Sequence, residues 1–239
     1  SALEALARAG APLGECDANG GSPLHWAAGE GHTAALGALA RAGLPLGERD
    51  ASGDTPSHWA ACEGHAAVLE ALARLGARLC ECDDSGDTPA HLAAYNGQAA
   101  VLEALARLGA PLGGRGGDGK TPIHLAAEFG HAVALEALAR TGAPLGGRDA
   151  DGRTPAYWAA AVGHAAVLEA LGERDTDGRT PAHWAASKRH VAALEALDAA
   201  GADLNARSSG GDTPAGLAAA EGHRRALRAL WLAGADCDS

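Results

Sequence analysis

Apolar and polar positions along the chain recur as a pair of helices followed by a polar turn. In the segment from Ala66 to Leu75 the apolar residues Val68, Leu69, Leu72 and Leu75 fall at helical spacing. Gly76 ends this helix, and the stretch from Cys80 to Asp87 is polar and turn-rich, which predicts a projecting hairpin-like loop. A shorter helix of about eight residues precedes each such helix and starts at a Thr-Pro pair. The Thr oxygen caps exposed amides there, and Pro fits the first helical position because its missing N–H has no partner to lose. The short helix ends at a glycine such as Gly31, Gly64, Gly130 or Gly163, which tolerates the left-handed conformation.

The short helix carries a phrase that returns seven times. Thr55-Pro56-Ser57-His58-Trp59-Ala60-Ala61 recurs from Thr88 and from Thr121, with variants at Ser22-Pro23, Thr154-Pro155, Thr180-Pro181 and Thr213-Pro214. Pro23, Pro56, Pro89, Pro122 and Pro155 are each 33 residues apart; Pro155 to Pro181 is 26, and Pro181 to Pro214 is 33 again. A fixed period of this length predicts one small unit stacked many times.

On these residues the chain resembles the ankyrin repeat over nearly its whole length. The matching features are the Thr-Pro-x-His-x-Ala-Ala phrase, the Gly-His pairs at Gly31, Gly64, Gly130, Gly163 and Gly222, and Gly201-Ala202-Asp203-Leu204-Asn205-Ala206. The resemblance implies an all-α solenoid of stacked helix-turn-helix units with projecting β-hairpin-like loops. Departures are local. Tyr157 and Gly216 replace the phrase histidine, Gln98 replaces the histidine after Gly97, and Arg189 stands where a helix-ending Gly is expected. Most loops carry Pro-Leu-Gly (Pro12, Pro45, Pro111, Pro144) where the family more often has Asp-Val-Asn.

The period divides residues 1–239 into one domain: a half repeat at 1–16, then repeats at 17–49, 50–82, 83–115, 116–148, 149–174, 175–207 and 208–239. The chain begins inside a repeat, because Leu3 to Gly10 matches a second helix and its Gly stop. It therefore reads as an excerpt or a trimmed end. Arg224, Arg225 and Arg228 make the last second helix more polar and suit a C-terminal cap, with Trp231 either shielding the end of the stack or packed in the ordinary way. After Leu171 the chain lacks seven residues that the preceding repeat has between Leu138 and Gly146. Either the fifth repeat is truly shortened or those residues lie outside this sequence.

Composition agrees with a thin-walled stack. Hydrophobic content is 47% but aromatics only 3%, because Ala carries much of it. No apolar run approaches the length that spans a bilayer, so membrane insertion is not expected. Net charge of −11 argues against a broad nucleic-acid interface. Five cysteines at irregular spacing form no disulfide framework and suit a reducing, intracellular setting: the cytoplasm, with the nucleus as the alternative.

Candidate chemistry is absorbed by the scaffold. All eleven histidines sit in two columns: His25, His58, His91, His124 and His183 in the phrase, and His32, His65, His131, His164, His190 and His223 at the second helices. The resemblance implies that the first set ties the Thr and neighbouring backbone together. No phosphate loop or nucleophile motif is present. Cys16 and Cys82 share a column two repeats apart, about 20 Å, too far to hold one zinc. Arg49, Arg115, Arg148, Arg174 and Arg207 form a further column that reads as a ladder ordering adjacent loops. Trp26, Trp59, Trp158 and Trp184 stand in the column of Leu92, Leu125 and Leu217 and read as core.

Function then rests on the variable positions. The resemblance implies partner binding through loop tips and the exposed side of the first helices, lining a concave groove. The positions that match are Asp54, Glu63, Asp84, Asp87, Tyr95, Lys120, Phe129, Arg153, Val162, Arg179 and Lys188. Acidic members come first, basic ones later, and Tyr95, Phe129 and Val162 lie between as anchors. The reading is a monomeric, non-catalytic module for a protein or peptide, without cofactor. Its alternatives are the targeting arm of a larger enzyme, channel or ubiquitin-ligase adaptor, and a scaffold modified at Asn205, whose Asp-Leu-Asn-Ala context resembles asparaginyl hydroxylation sites. Elemental analysis is expected to find no stoichiometric zinc; one equivalent held by Cys80 and Cys82 would overturn the scaffold assignment.

Overall fold

The computed structural model describes residues 13–144, 147–162, 164, 167, 174, 177–199 and 201–236. Among them lie thirteen α-helices and no strand. Short first helices alternate with longer second helices: α1 (Pro23–Gly29), α2 (Thr33–Arg41), α3 (Pro56–Glu63), α4 (Ala66–Arg74), α5 (Pro89–Tyr95) and α6 (Ala99–Arg107). Then come α7 (Pro122–Glu128), α8 (Ala132–Arg140), α9 (Pro155–Val162), α10 (Pro181–Ser187), α11 (Val191–Ala199), α12 (Pro214–Ala220) and α13 (Arg224–Leu232). The expectations placed on Leu3 to Gly10, on Gly163 and on the shortened stretch after Leu171 lie outside the described residues, as does the fifth cysteine, Cys237.

The chain forms two compact units, Ser1–Pro122 with Ala137–Ala143, and Ile123–Glu136 with Pro144–Ser239. In the first, α1, α3 and α5 pack side by side as one layer, and α2, α4 and α6 as another. In the second, α9, α10 and α12 pack in order, and α11 packs on α13. Close packing of first helices depends on alanine: Ala60, Ala61, Ala93 and Ala94 are fully buried. Second helices fill the core with Val68, Leu69 and Leu72, and with Val101, Leu102 and Leu105. Each such leucine contributes about 1.5–3 kcal/mol by leaving water. Leu75, the last member of the apolar stripe in α4, is instead exposed, because it sits beyond the helix end at the C-cap.

Local chemistry sets the helix boundaries. Thr55 is extended at φ −96°, ψ 168°, and Pro56 starts α3. Gly64 ends it at φ 89°, and a Cβ there would lie 2.5 Å from Gln98 of the next repeat. Glycine is therefore required twice over, by dihedral and by space. The loops at Asp17, Asp50, Asp83 and Asp149 are each closed on that aspartate. The Asp50 Oδ1 accepts from the N–H groups of Ser52 (2.8 Å) and Asp54 (3.0 Å), and successive loop tips join through Ala51 N–H to Asn19 O at 2.9 Å and Asp84 N–H to Ser52 O at 3.1 Å. Arg49, Arg148 and Arg174 of the arginine column reach the adjacent loop as expected, whereas Arg207 bonds within its own loop, to Gly211 O at 3.1 Å. Arg49 donates to Cys82 O at 2.9 Å and pairs with Asp84 at 2.9 Å, and Arg174 donates to Arg207 O at 2.8 Å.

The phrase histidines hold one repeat to the next. His58 Nδ1 accepts from the Thr55 N–H at 3.0 Å and lies 2.9 Å from its hydroxyl. With that nitrogen accepting, Nε2 carries the proton and donates to Asp87 O, 29 residues on, at 3.1 Å. His25, His91, His124 and His183 make the same bond to Asp54 O, Lys120 O, Arg153 O and Asp212 O, at 2.9, 3.2, 3.1 and 2.9 Å. Where Tyr157 replaces histidine, its ring meets Trp184 of the following repeat edge-on at 4.3 Å.

Burial pushes His58 and His91 below the usual imidazole range. Protonation would place a hydrogen on Nδ1, against the Thr N–H it already accepts. Below about pH 6.5 the unfolded chain binds protons that the folded imidazoles refuse, so their contribution to stability is full above that pH and lost as it falls. His58→Ala is expected to cost about 2–4 kcal/mol in chemical denaturation, having lost a buried ring and orphaned the Asp87 carbonyl. The acid-dependent loss below about pH 6.5 should be smaller in that variant than in the wild type.

Candidate functional site

The positions expected to bind a partner fall into separate groups. In the first unit, Asp54 and Glu63 line one cleft of about 480 Å³ together with Trp59 and Cys62. Asp54 is half-buried, and its Oδ1 is enclosed with no hydrogen-bond partner among the described residues. Burial, reinforced by the neighbouring charges of Asp50 and Asp83, pushes its carboxyl up to about 6. Asp87, one repeat on, is also raised by burial. Asp84 is engaged instead with Arg49. Tyr95, at the end of α5, leaves 46% of its surface in water. Lys120 is held 3.3 Å from Asp118, with its side chain only 14% exposed.

In the second unit, the two arginines on the expected list do not project freely. Arg153 pairs with Asp149 at 2.9 Å and with Asp151, and its guanidinium lies 4.4 Å from the Trp158 ring and 5.5 Å from Tyr157. Arg179 lies 5.0 Å over Trp184, the ring that Tyr157 meets edge-on. The result is a continuous cradle of two guanidinium groups and three aromatic rings, formed by consecutive repeats. Burial opposes charge on Asp149, but the Arg153 N–H, the Trp158 indole and the Arg153 guanidinium together hold its carboxyl below the usual range. Phe129, 41% exposed, and Val162, 48% exposed, lie at the ends of α7 and α9, and Lys188 is exposed after α10.

The tryptophans are the main correction to the sequence reading. They are not core. Trp26 is 49% exposed and the other three are half-buried. The column itself is half-open, since Leu92 and Leu217 in it are also only half-buried, and there the indoles make a bond that helical periodicity does not register. Trp26 Nε1 donates to Asp17 at 3.0 Å, Trp59 to Asp50 at 2.9 Å and Trp158 to Asp149 at 2.9 Å, each nine residues earlier. The indole braces its own loop, which keeps its polar edge outward. The recurrence of Asp nine residues before Trp was the available signal. Trp26 and Trp59 also meet edge-on at 5.2 Å. Trp231 is likewise open, at 67% exposure, rather than packed.

No cluster of histidine, cysteine and carboxylate with metal-binding geometry occurs among the described residues. Cys16, Cys62, Cys80 and Cys82 are free thiols, and burial raises that of Cys62. Asn205 is exposed, and its Oδ1 accepts the Asp236 N–H at 2.8 Å. No described helix is long and apolar enough to cross a membrane.

The family model described as ankyrin repeats (3 copies) matches residues 1–81, 47–115, 90–177 and 170–239. The chain belongs to the ankyrin-repeat family. Among solved structures it is similar to the human ASB11 ankyrin repeat domain, with a TM-score of 0.72 and 28% identity, over 89% of this chain and 97% of that one. No curated relative matches the sequence. Ankyrin repeats are in general protein–protein interaction modules, and the columns described above are how this chain builds that scaffold.

The enclosed carboxylate of Asp54 is a cost that the fold carries. Ionised above pH of about 6 in the folded chain but above the ordinary 3.8 when unfolded, it destabilises the fold most at neutral pH, and the penalty fades as pH drops from 6 towards 3.8. Allowing for its partial exposure, Asp54→Asn should raise unfolding free energy at pH 7 by about 1 kcal/mol. The gain is expected to vanish below pH 3.8, as followed by denaturant titration at several pH values.

Proposed function

We propose that this ankyrin-repeat protein is a non-catalytic module that binds a partner protein or peptide over its loop tips and the exposed sides of its first helices. The observation that carries this reading is the composition of that surface in the second unit. Arg153 and Arg179 lie on Trp158, Tyr157 and Trp184, while Phe129 and Val162 keep two-fifths or more of their surface in water. Arginine, tryptophan and tyrosine are the side chains that dominate protein interfaces, and here they are already held in place, so little entropy is lost on binding.

The partner chemistry follows from the two units taken separately. The second unit suits acidic residues against the guanidinium groups and an apolar side chain against Phe129. The first suits cationic residues at Asp54, Glu63 and Asp87, with an apolar group on Tyr95. A cation beside Asp54 would offset the burial that raises its carboxyl, so association near pH 6 should release a proton. A net charge of −11 disfavours nucleic acid as the partner. A cytoplasmic or nuclear location belongs to the same proposal and rests on the free, irregularly spaced thiols.

The test begins with partners recovered on the immobilised chain and measured individually by calorimetry. Affinity should fall with added salt. Phe129→Ala should weaken binding by about 1–3 kcal/mol while barely moving the melting temperature. A variant that unfolds would place Phe129 in the core. One that folds and binds like the wild type would move the interface away from this face.

A further inference from the structure

One step in the column of indoles and leucines along the first helices is under-filled. Trp26 and Trp59 follow one another in that column, and their rings meet edge-on at 5.2 Å. At the next step Trp59 is followed by Leu92, and both line a cleft of about 480 Å³, with Cys62 beside them. The repeat of Leu92 nevertheless keeps an aspartate, Asp83, nine residues earlier, the place from which Asp17, Asp50 and Asp149 accept an indole N–H. Leu92 is alone among the leucines of the column in this, since Gly116 and Ser208 stand nine residues before Leu125 and Leu217. The brace is in place, and a smaller side chain stands where the ring would be.

The charged groups of this apolar cleft are all acids: Asp50, Asp54 and Glu63. His58, also in the lining, is held neutral, with Nδ1 accepting from the Thr55 N–H and Nε2 donating to Asp87 O. Asp50 is fully engaged. Its Oδ1 takes the N–H groups of Ser52 and Asp54, and its Oδ2 takes the Trp59 indole. Asp54 and Glu63 are not engaged in this way. Neither has an ion pair among the described residues, and the Asp54 Oδ1 has no hydrogen-bond partner there. Arg49 attracts Asp54 from outside the lining, but its guanidinium is committed to Asp84 and Cys82 O. A half-buried carboxylate among charges of its own sign, next to apolar walls and without a counter-ion, is complementary to a cation that also carries an apolar stem.

We propose that this cleft receives one arginine side chain of a partner protein. Trp59, Leu92 and Cys62 offer apolar surface to the methylene stem. A guanidinium is weakly hydrated and lies against an indole more readily than an ammonium does, and its fork of five N–H donors can serve Asp54 and Glu63 together, where lysine supplies a point charge. Free arginine carries an α-carboxylate, which the same acids and a net charge of −11 repel, so an arginine within a chain is favoured over the free amino acid. The protein source rests on the reading of the chain as an interaction module; the arginine cleft does not.

Titration of the full chain with N-acetyl-arginine N-methylamide, followed by amide and indole resonances, tests this. Saturable shifts are expected at the Trp59 indole and the Ser52 and Asp54 amides, and not at the matching Trp158, Asp151 and Arg153. The capped lysine should bind about threefold or more weakly. Asp54→Asn and Glu63→Gln should each weaken arginine binding about fivefold or more. Asp54→Asn is expected to stabilise the fold at pH 7, so binding lost there is not structure lost. Leu92→Trp puts a ring into the under-filled step with Asp83 in place to brace it, and should abolish the shifts without unfolding the chain. Absent shifts, equal shifts at Trp158, lysine bound as tightly as arginine, or variants of Asp54, Glu63 or Leu92 that fold and bind as the wild type does, would overturn the cleft. Free arginine bound as tightly as the capped form would overturn the protein source. The Phe129→Ala test reads the second unit, so its failure would leave the cleft standing.

Discussion

One hydrogen bond organises this molecule: from a buried imidazole Nε2 to a backbone carbonyl 29 residues further on. Its other nitrogen is committed to the Thr that starts the same helix. A single ring thus fixes the entry to a helix, the tautomer that makes the contact and the position of the next loop. Without it the loop would have to be placed by water-exposed interactions alone, worth far less each. The aspartate turns, arginine column and indole braces then act on a loop whose base is already set.

Charge in the molecule pulls in opposing directions. Buried imidazoles favour folding above their unfolded titration range, while the half-buried carboxylates of Asp54 and Asp87 work against it at the same pH. The first group serves the scaffold. The second lies at the surface read as the binding face, and natural folds retain such unfavourable groups mainly where something other than stability is selected.

Much of this was legible in the chain itself. A 33-residue period, Thr-Pro starts and glycine stops locate the helices to within a residue or two, because each is set by local backbone chemistry. What periodicity misses is decided by partners outside the helix. The tryptophans share a half-open column with Leu92 and Leu217, and an aspartate nine residues earlier accepts the indole N–H of three of them. Arg153 and Arg179 read as projecting charges, but the rings beside them hold them down. Arg189 was visible as a missing glycine and does take positive φ, 65°; that His223 of the following repeat meets Ala186 O is set by geometry that no single position encodes.

The direction of the imidazole bond also has a consequence in time. Each phrase histidine donates forward along the chain. On a ribosome, a newly emerged repeat therefore holds an unanswered N–H until roughly 29 more residues appear, about 1.5–6 s at ordinary synthesis rates. Growth of the array is thus a relay in which every arrival completes its predecessor. The repeats carrying Tyr157 and Gly216 make no such demand on the next stretch of chain. They are the points at which synthesis can pause without leaving a buried donor waiting.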